Sequence, residues 1–218
     1  MLGLGSRTTS YYYKELNRIF KDNRDSKLNV PIKLLETNFE EINHHLPDNF
    51  NALTPVITKH LKELNQWHPE VILLPNITLH RMVDELPFEF TQQLPIAHPV
   101  ALTFQKIQKD GFNKAVILGT KYTMNSDFFK PHAERNQIEV IHPAAQEIRS
   151  IDAIRTAIYN GTETQTNIEH ILEIIKKYQQ EIPVIIACTE LSLVQRIHKK
   201  NVYDMSEIQI NHAISKVI

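Results

Sequence analysis

The chain has 218 residues, of which 42% are hydrophobic and 22% are charged, a composition typical of one large or two small globular domains. With 24 Lys and Arg against 25 Asp and Glu, the net charge of -1 gives no basic excess that would favour nucleic acid or an anionic membrane surface. The single Cys excludes an intrachain disulfide framework. Together with the lack of a signal-peptide pattern and of apolar runs long enough to span a membrane, it predicts a cytoplasmic protein.

The first half of the chain alternates between patterns typical of strands and of helices. Short apolar segments predict strands at residues 1–4, 30–35, 71–74 and 94–97. Helical spacing of apolar residues predicts intervening helices around residues 12–20, 54–67 and 79–86. Thr8, Thr9 and Ser10 are candidate caps of the first helix, and Pro55 is expected at the first position of the second.

The second half repeats the same alternation. Strands are predicted at residues 115–118, 138–141, 184–187 and 202–203. Helices are predicted at residues 99–109, through 128–129, at 148–159, at 167–178 and from 206 onward. Gly111 is expected to close the first of these helices in a left-handed conformation, and Asn160-Gly161 to form a turn between two others. A further helix is predicted after Glu190 as far as Ile197, with the basic run 198–200 at its solvated end.

Strands that alternate with helices predict an α/β fold with parallel sheets and helices on both faces. The pattern repeats on either side of residues 97–99. We therefore expect two α/β domains, one of residues 1–97 with about 205–218 and one of residues 98–204. The simplest arrangement relates their parallel sheets by a pseudo-twofold axis, with a cleft between the domains.

Polar residues follow four of the predicted strands. They lie at residues 5–10, 75–78, 119–123 and 188–190. In open parallel sheets, ligands bind beyond the carboxyl ends of the strands, so these segments are candidates for a binding site. The alternative is that the Thr and Asn side chains only cap the helices that follow.

Cys188 is the most informative single residue, because it follows a predicted buried strand and precedes Thr189-Glu190 and a predicted helix. A thiol at the N-terminus of a helix has a lowered pKa, and its thiolate is a nucleophile or a general base. The alternative is a small core residue, which is the more common role of an isolated Cys. Glu190 either orients a substrate or complements the helix dipole.

Four sequence motifs coincide with the four polar segments. The first is Gly3-Leu4-Gly5-Ser6-Arg7-Thr8-Thr9-Ser10 with the tyrosines that follow, and the second is Pro75-Asn76-Ile77-Thr78-Leu79-His80. The third is Leu118-Gly119-Thr120-Lys121-Tyr122-Thr123-Met124 with Asp127-Phe128-Phe129, and the fourth is Cys188-Thr189-Glu190-Leu191. Taken in order, these motifs resemble the cofactor-independent aspartate/glutamate racemase family. The resemblance covers essentially the whole chain and is greatest to the L-aspartate/L-glutamate-specific branch.

The resemblance implies two Rossmann-like domains with the active site in the cleft between them. It implies racemisation of an acidic amino acid by two bases on opposite faces of the α-carbon, without a metal or pyridoxal phosphate, in a homodimer. Cys188 would be the main acid/base. The residues implied in substrate binding are Thr8, Thr9, Thr78, Thr120, Tyr122, Thr123, Thr189 and Glu190.

The chain departs from the family pattern at three positions. Asn76 takes the place of the first catalytic Cys, Ile77 that of the family's Asn, and Gln209 that of a C-terminal His. Because Asn has no titratable proton near neutral pH, three alternatives stay open. Cys188 works with a water held by Asn76, or the protein performs other single-Cys chemistry resembling the family's decarboxylases and isomerases, or it binds an amino acid with impaired turnover.

The 11 His residues do not predict a metal site. They are scattered, and none lies in a His-x3-His or HExxH arrangement. His80 is the His within a family motif, and it is expected to cap or pack the helix after Thr78 rather than to act on a substrate.

Overall fold

A computed structural model describes residues 1–24, 28–194 and 200–218 of the chain. The chain divides into two compact units. The first consists of Met1–His98 with Gln209–Ile218, and the second of Pro99–Ile208. In the described parts of the chain, every helix is too short or too polar to cross a membrane.

The first unit contains a small parallel layer of extended segments. Its elements are β1 (Leu2–Gly3), α1 (Ser6–Arg24), β2 (Leu35–Glu36), α2 (Phe39–Asn43), α3 (Phe50–Asn65), α4 (His80–Glu85) and α5 (Phe88–Thr91). Strand β1 pairs in parallel with β2, and the backbone N–H of Leu2 donates to the carbonyl of Leu73 at 2.9 Å. A parallel bridge between Ile72 and Ile96 continues the layer. The segments predicted as strands at 71–74 and 94–97 therefore lie in this layer. Isolated backbone hydrogen bonds join them to each other and join segment 71–74 to β1.

Two predicted elements of the first unit have different bounds in the structure. The strand expected at 30–35 is reduced to β2, since Pro31 lacks an N–H and the partner strand β1 has only two residues. Helix α3 begins at Phe50 rather than Thr54, because Asn49 accepts a hydrogen bond from the N–H of Ala52 and caps it. Pro55 consequently lies inside α3.

The expected caps of the first helix are also different. Helix α1 begins at Ser6, so Thr8, Thr9 and Ser10 lie within its first turns. The turn before it is made by Gly5, whose φ of +92° is a left-handed value that favours glycine.

The second unit is a four-stranded parallel sheet covered by helices. Its elements are α6 (Pro99–Lys109), β3 (Lys114–Leu118), α7 (Lys121–Asn125), α8 (Lys130–Arg135), β4 (Glu139–Ile141), α9 (Ala145–Asn160), α10 (Gln165–Gln179), β5 (Val184–Ile186) and β6 (Val202–Asp204). The last helix, α11 (Met205–Val217), follows β6. The strand order is β4-β3-β5-β6, and every pairing is parallel. The α/β class with parallel sheets is confirmed.

Isoleucine-rich helix faces form the core of the second unit. Ile151 and Ile154 on α9 pack with Ile171 and Ile175 on α10 in one buried cluster that includes the central strands. Burial of each such side chain contributes roughly 1.5–3 kcal/mol relative to exposure. The predicted helix at 99–109 is confirmed, and Gly111 follows it with a φ of +86°.

Two predicted helices of the second unit are wrong in form. The helix expected through Phe128 and Phe129 is instead α7, a 3₁₀ turn at Asp127–Phe129, and α8. The described part of the segment after Glu190 forms a 3₁₀ turn at Leu191–Leu193, and Val194 after it is extended. The predicted continuation to Ile197, like residues 198 and 199 of the basic run, lies outside the described residues.

Candidate active site

In the second unit, the carboxyl ends of β3 and β5 lie side by side. Leu118 is in register with Ile186, and the N–H of Ala187 donates to the carbonyl of Leu118 at 2.8 Å. The residues that follow the two strands therefore emerge at the same edge of the sheet, where parallel sheets bind their ligands.

Gly119 allows a close approach at this edge. A Cβ at this position would lie 3.0 Å from the carbonyl oxygen of Ala187 and 3.0 Å from the methyl group of Thr123. A side chain larger than hydrogen would push the β3 loop away from the end of β5. The glycine of the third sequence motif is thus explained by packing between two strand ends.

The threonines after Gly119 hold the start of α7. Thr120 accepts a hydrogen bond from the N–H of Thr123 at 2.9 Å and donates its hydroxyl proton to the Thr123 Oγ1 at 2.8 Å. Thr123 is buried, whereas Thr120 and Tyr122 are half-buried. The capping role considered for these residues is present at Thr120, and contact with a substrate stays a prediction.

Cys188 lies at the neighbouring strand end and is 4% exposed. Its Sγ donates to the Oε2 of Glu190 at 2.7 Å. The Cys188 side chain also belongs to the buried hydrophobic cluster that contains Leu118 and Leu191. Cys188 is therefore both a core residue and the hydrogen-bond partner of a carboxylate.

The pKa of the Cys188 thiol is raised well above its usual value. Burial is the largest cause, followed by the negative charge of Glu190 and the hydrogen bond to it. The positive charge of Arg155 acts in the opposite direction but is outweighed. The expectation that a helix N-terminus lowers this pKa is wrong, because only a 3₁₀ turn follows and burial dominates.

The resting state of this pair is consequently a thiol that donates to a carboxylate. Thr189 also donates to the same Oε2 atom at 3.4 Å. In this state the Cys188 thiol is protonated and can act as a proton donor. It acts as a base only after its own proton has moved to Glu190.

Arg155 belongs to the surroundings of Cys188, and sequence reasoning missed it. Its Nε lies 3.3 Å from the Oδ1 of Asp152, which also accepts a hydrogen bond from the backbone N–H of Lys121 at 2.9 Å. The i,i+3 spacing of Asp152 and Arg155 is typical of a solvated helix face. No signal in the sequence placed that face of α9 beside the end of β3.

The first unit presents polar residues at the ends of β1 and of the segment 71–74. The N–H of Leu4 donates to the hydroxyl oxygen of Thr9 at 3.2 Å, and Thr37 donates to the carbonyl of Gly3 at 2.6 Å. Thr8 and Thr9 are both buried. The hydroxyl of Thr9 therefore stabilises the turn that contains Gly5.

Asn76 forms a compact turn before α4. Its Oδ1 accepts a hydrogen bond from the N–H of Leu79 at 3.0 Å, and its main-chain carbonyl lies 2.9 Å from the Nδ1 of His80. Asn76 and Thr78 are half-buried, while Ile77 is buried. The amide NH₂ of Asn76 has no acceptor within the described part of the chain, so it can donate to a ligand.

Within each unit, the structure thus gathers a subset of the predicted residues. Thr120, Thr123, Cys188, Thr189 and Glu190 share one sheet edge, with Tyr122 on the same short helix. Asn76 and Thr78 share one turn in the first unit.

These features define a parallel α/β protein with polar strand ends, one of which carries a thiol–carboxylate pair. A family model described as Asp/Glu/Hydantoin racemase matches residues 1–213. The chain belongs to this family, and its membership supports a racemase-type function.

Three solved structures are similar to this chain. A proposed Asp/Glu racemase from Yersinia pestis has a TM-score of 0.82 and 25% identity, with 100% of this chain and 99% of that chain covered. An aspartate racemase homologue from Pyrococcus horikoshii OT3 has a TM-score of 0.77 and 24% identity, covering 98% and 96%. An aspartate racemase from Picrophilus torridus has a TM-score of 0.73 and 19% identity, covering 98% and 90%. The last two likenesses show the fold.

Proposed function

We propose that the protein is a cofactor-independent racemase-type enzyme that acts on aspartate or glutamate, with Cys188 as its main acid/base and Asn76 in place of the second base. The observation that carries this proposal is the 2.7 Å hydrogen bond between the Cys188 thiol and Glu190 at a sheet edge of a family member. The similarity to a proposed Asp/Glu racemase from Yersinia pestis supports the substrate class.

The proposed chemistry begins with the thiol proton. It moves from Cys188 Sγ to Glu190 Oε2, and the thiolate then removes the α-proton of the amino acid. The electron pair of the broken C–H bond passes into the substrate carboxylate, giving an enolate-like anion. Return of the proton from the thiol restores the starting enantiomer, and protonation from the opposite face inverts it.

The opposite face is where Asn76 is proposed to act. Its side chain carries no exchangeable acid or base near neutral pH, but its free NH₂ group can hold a water or the substrate carboxylate. A water in that place would deliver the proton, and the hydroxide left behind would be neutralised by the proton that Glu190 gives up to solvent. Cys188, which has taken the α-proton, and Glu190 are then back in their starting states. Hydroxyl groups proposed to contact the substrate are those of Thr8, Thr9, Thr78, Thr120, Tyr122, Thr123 and Thr189.

A second candidate is one-base chemistry on an acidic substrate, in which Cys188 protonates an anion formed by loss of CO₂ or by isomerisation. The observation in its favour is the hydrogen bond of Cys188 to Glu190, in which the thiol rests in its protonated form and holds a proton to donate without a prior transfer to Glu190. Release of CO₂ from a dicarboxylic substrate would distinguish it from racemisation.

The assembly and the location expected from the sequence are proposals of the same kind. We propose a homodimer, which light scattering of the purified protein would test. We propose a cytoplasmic location, which fractionation of the producing cells would test.

Isotope exchange tests the proposed reaction. Aspartate and glutamate, each as the separate L and D enantiomers, are incubated with the protein in heavy water. Uptake of deuterium at the α-carbon supports the proposal. Calorimetric binding of an acidic amino acid without any uptake would replace the enzyme with a binding protein, and the absence of both would reject the substrate class.

A further inference from the structure

A chain of buried hydrogen bonds runs through the first unit to the Asn76 turn. It links Tyr12 on α1, Gln209 on α11 and His80 at the start of α4. All three side chains are buried. Because buried polar groups without partners are costly, the donors and acceptors of such a chain must match one another at every step.

The orientation of the Gln209 amide follows from two short contacts. The hydroxyl of Tyr12 donates to Oε1 at 2.7 Å, and Nε2 donates to the carbonyl of Ala97 at 2.7 Å. The reversed amide would place two carbonyl oxygens against each other at the Ala97 position. The NH₂ group therefore has one hydrogen left, and the Nε2 of His80 lies 3.5 Å away.

This orientation and the Asn76 carbonyl require the same protonation of His80. A nitrogen that faces an N–H donor must accept, so the His80 Nε2 carries no proton. The ring proton then lies on Nδ1, which donates to the carbonyl of Asn76 at 2.9 Å. Burial, followed by the charge of His98, holds the pKa of His80 well below its usual value, which keeps the ring neutral.

Two more titratable groups face this ring. His98 stacks edge-on at a centroid distance of 4.8 Å, and its Nε2 lies 3.4 Å from the His80 carbonyl. Asp84 lies 3.3 Å from the same His98 nitrogen, and its charge acts on His80 in the opposite direction to burial. Tyr12 from α1 is linked to His80 through Gln209.

We propose that Gln209 is a positioning residue: its amide fixes buried His80 as the tautomer protonated on Nδ1, and that proton holds the Asn76 carbonyl and the orientation of the Asn76 side chain. The effect of this positioning on the reaction rests on the proposed function, whereas the tautomer does not. The opposite tautomer would direct the lone pair of Nδ1 at the carbonyl of Asn76 and open the turn. The Gln209 amide performs this task with a group that does not titrate.

Nitrogen NMR of ¹⁵N-histidine-labelled, substrate-free protein tests the tautomer, with the His80 signals assigned by their loss in His80→Gln. We expect His80 to carry its proton on Nδ1. In Gln209→Glu, the oxygen in the place of Nε2 would face both the Ala97 carbonyl and the His80 Nε2. Whether ionised or protonated toward Ala97, it offers His80 a lone pair in place of a donor, so we expect the proton to move to Nε2 or the ring to become doubly protonated. Gln108→Glu, the same change at an exposed position of α6, should leave the His80 signals unchanged.

Tyr12→Phe provides a second variant if Gln209→Glu does not fold. It removes one of the two contacts that orient the amide and leaves only the Ala97 carbonyl to hold it, so a partial shift toward the other His80 tautomer is expected. A proton on Nε2 in the unchanged protein, or an unaltered Nδ1 proton in a folded Gln209→Glu, would overturn the proposal.

The effect on the reaction is read separately, as α-deuterium exchange. Loss of one buried hydrogen bond is expected to reduce the exchange rate about two- to tenfold in Gln209→Glu, with Gln108→Glu unchanged. Absence of exchange in the unchanged protein would reject the proposed function, while the NMR result still decides the tautomer. A shifted tautomer with an unaltered exchange rate would overturn the positioning of Asn76.

Discussion

The substitution Glu190→Gln tests the electrostatics of Cys188. It keeps the shape of the side chain but removes the negative charge beside a thiol whose Sγ lies 2.7 Å from Oε2. Because that charge and its hydrogen bond both raise the pKa of Cys188, the substitution must lower it. The amide NH₂ group that the substitution introduces could in addition donate to the thiolate.

The size of the effect follows from the distance. Even at a separation of about 4 Å, two unit charges interact by about 1 kcal/mol in a water-like dielectric. The shorter Sγ–Oε2 distance of 2.7 Å and the partial burial of the pair make the interaction stronger. At a pH below the thiol pKa, the rate of alkylation is proportional to the thiolate fraction. We therefore expect Glu190→Gln to increase the alkylation rate at least about fivefold.

Mass spectrometry after iodoacetamide pulses at a series of pH values measures this rate. Cys188 is the only Cys of the chain, so a single adduct reports it. The control is Glu173→Gln, which makes the same charge change on the exposed face of α10 and should not alter the rate. An alkylation rate in Glu190→Gln that is equal to or lower than in the unchanged protein would refute the electrostatic reasoning.

Three further substitutions probe the second unit. Arg155→Met should slow alkylation of Cys188 at fixed pH, because the charge of Arg155 lowers the thiol pKa; an increased rate would contradict this. Gly119→Ala should reduce the free energy of unfolding in urea by about 1–3 kcal/mol, because its Cβ would lie 3.0 Å from the Ala187 carbonyl oxygen. Unchanged stability would contradict this, because the loop after β3 would then have shifted without cost. Burial raises the pKa of the Asp204 carboxyl from 3.8 to about 6. As the pH rises from about 4 to about 6, the carboxyl is already ionised in the unfolded chain but still protonated in the folded one, so the free energy of unfolding falls. Asp204→Asn should remove this loss, measured as melting temperature against pH, and an unchanged profile would refute the assignment.

Much of the fold could be predicted because local patterns and tertiary packing agree. The helix at 99–109 has a sharp apolar face and ends before Gly111, a glycine in the left-handed conformation. The central strands β3 and β5 of the second unit are buried on both faces, and their continuous apolar runs, such as Val184–Ile186, make them recognisable.

The misplaced helix start at Pro55 shows where local signals mislead. Proline is common in the first turn of a helix, yet here the chain already becomes helical at Phe50. Burial of Phe50 and Leu53 and the cap at Asn49 outweigh the local signal. Such burial depends on the rest of the fold, which a local pattern does not contain.

The chemistry of the candidate site was harder to predict than its position. The sequence located Cys188 after a buried strand, but the direction of its pKa depends on burial, on Glu190 and on Arg155. Arg155 lies 33 positions earlier in the chain and is brought near only by the packing of α9. The hydrogen-bond chain from Tyr12 through Gln209 likewise joins residues that are distant in sequence.

The most direct test of proton transfer by Cys188 compares the unchanged protein with Cys188→Ala in heavy water. α-Deuterium uptake into L-aspartate is followed by mass spectrometry together with the appearance of the D enantiomer, and circular dichroism verifies that the variant is folded. We predict uptake with the unchanged protein and none with Cys188→Ala. Equal uptake by both proteins would contradict the assignment of Cys188 as the group that moves the proton.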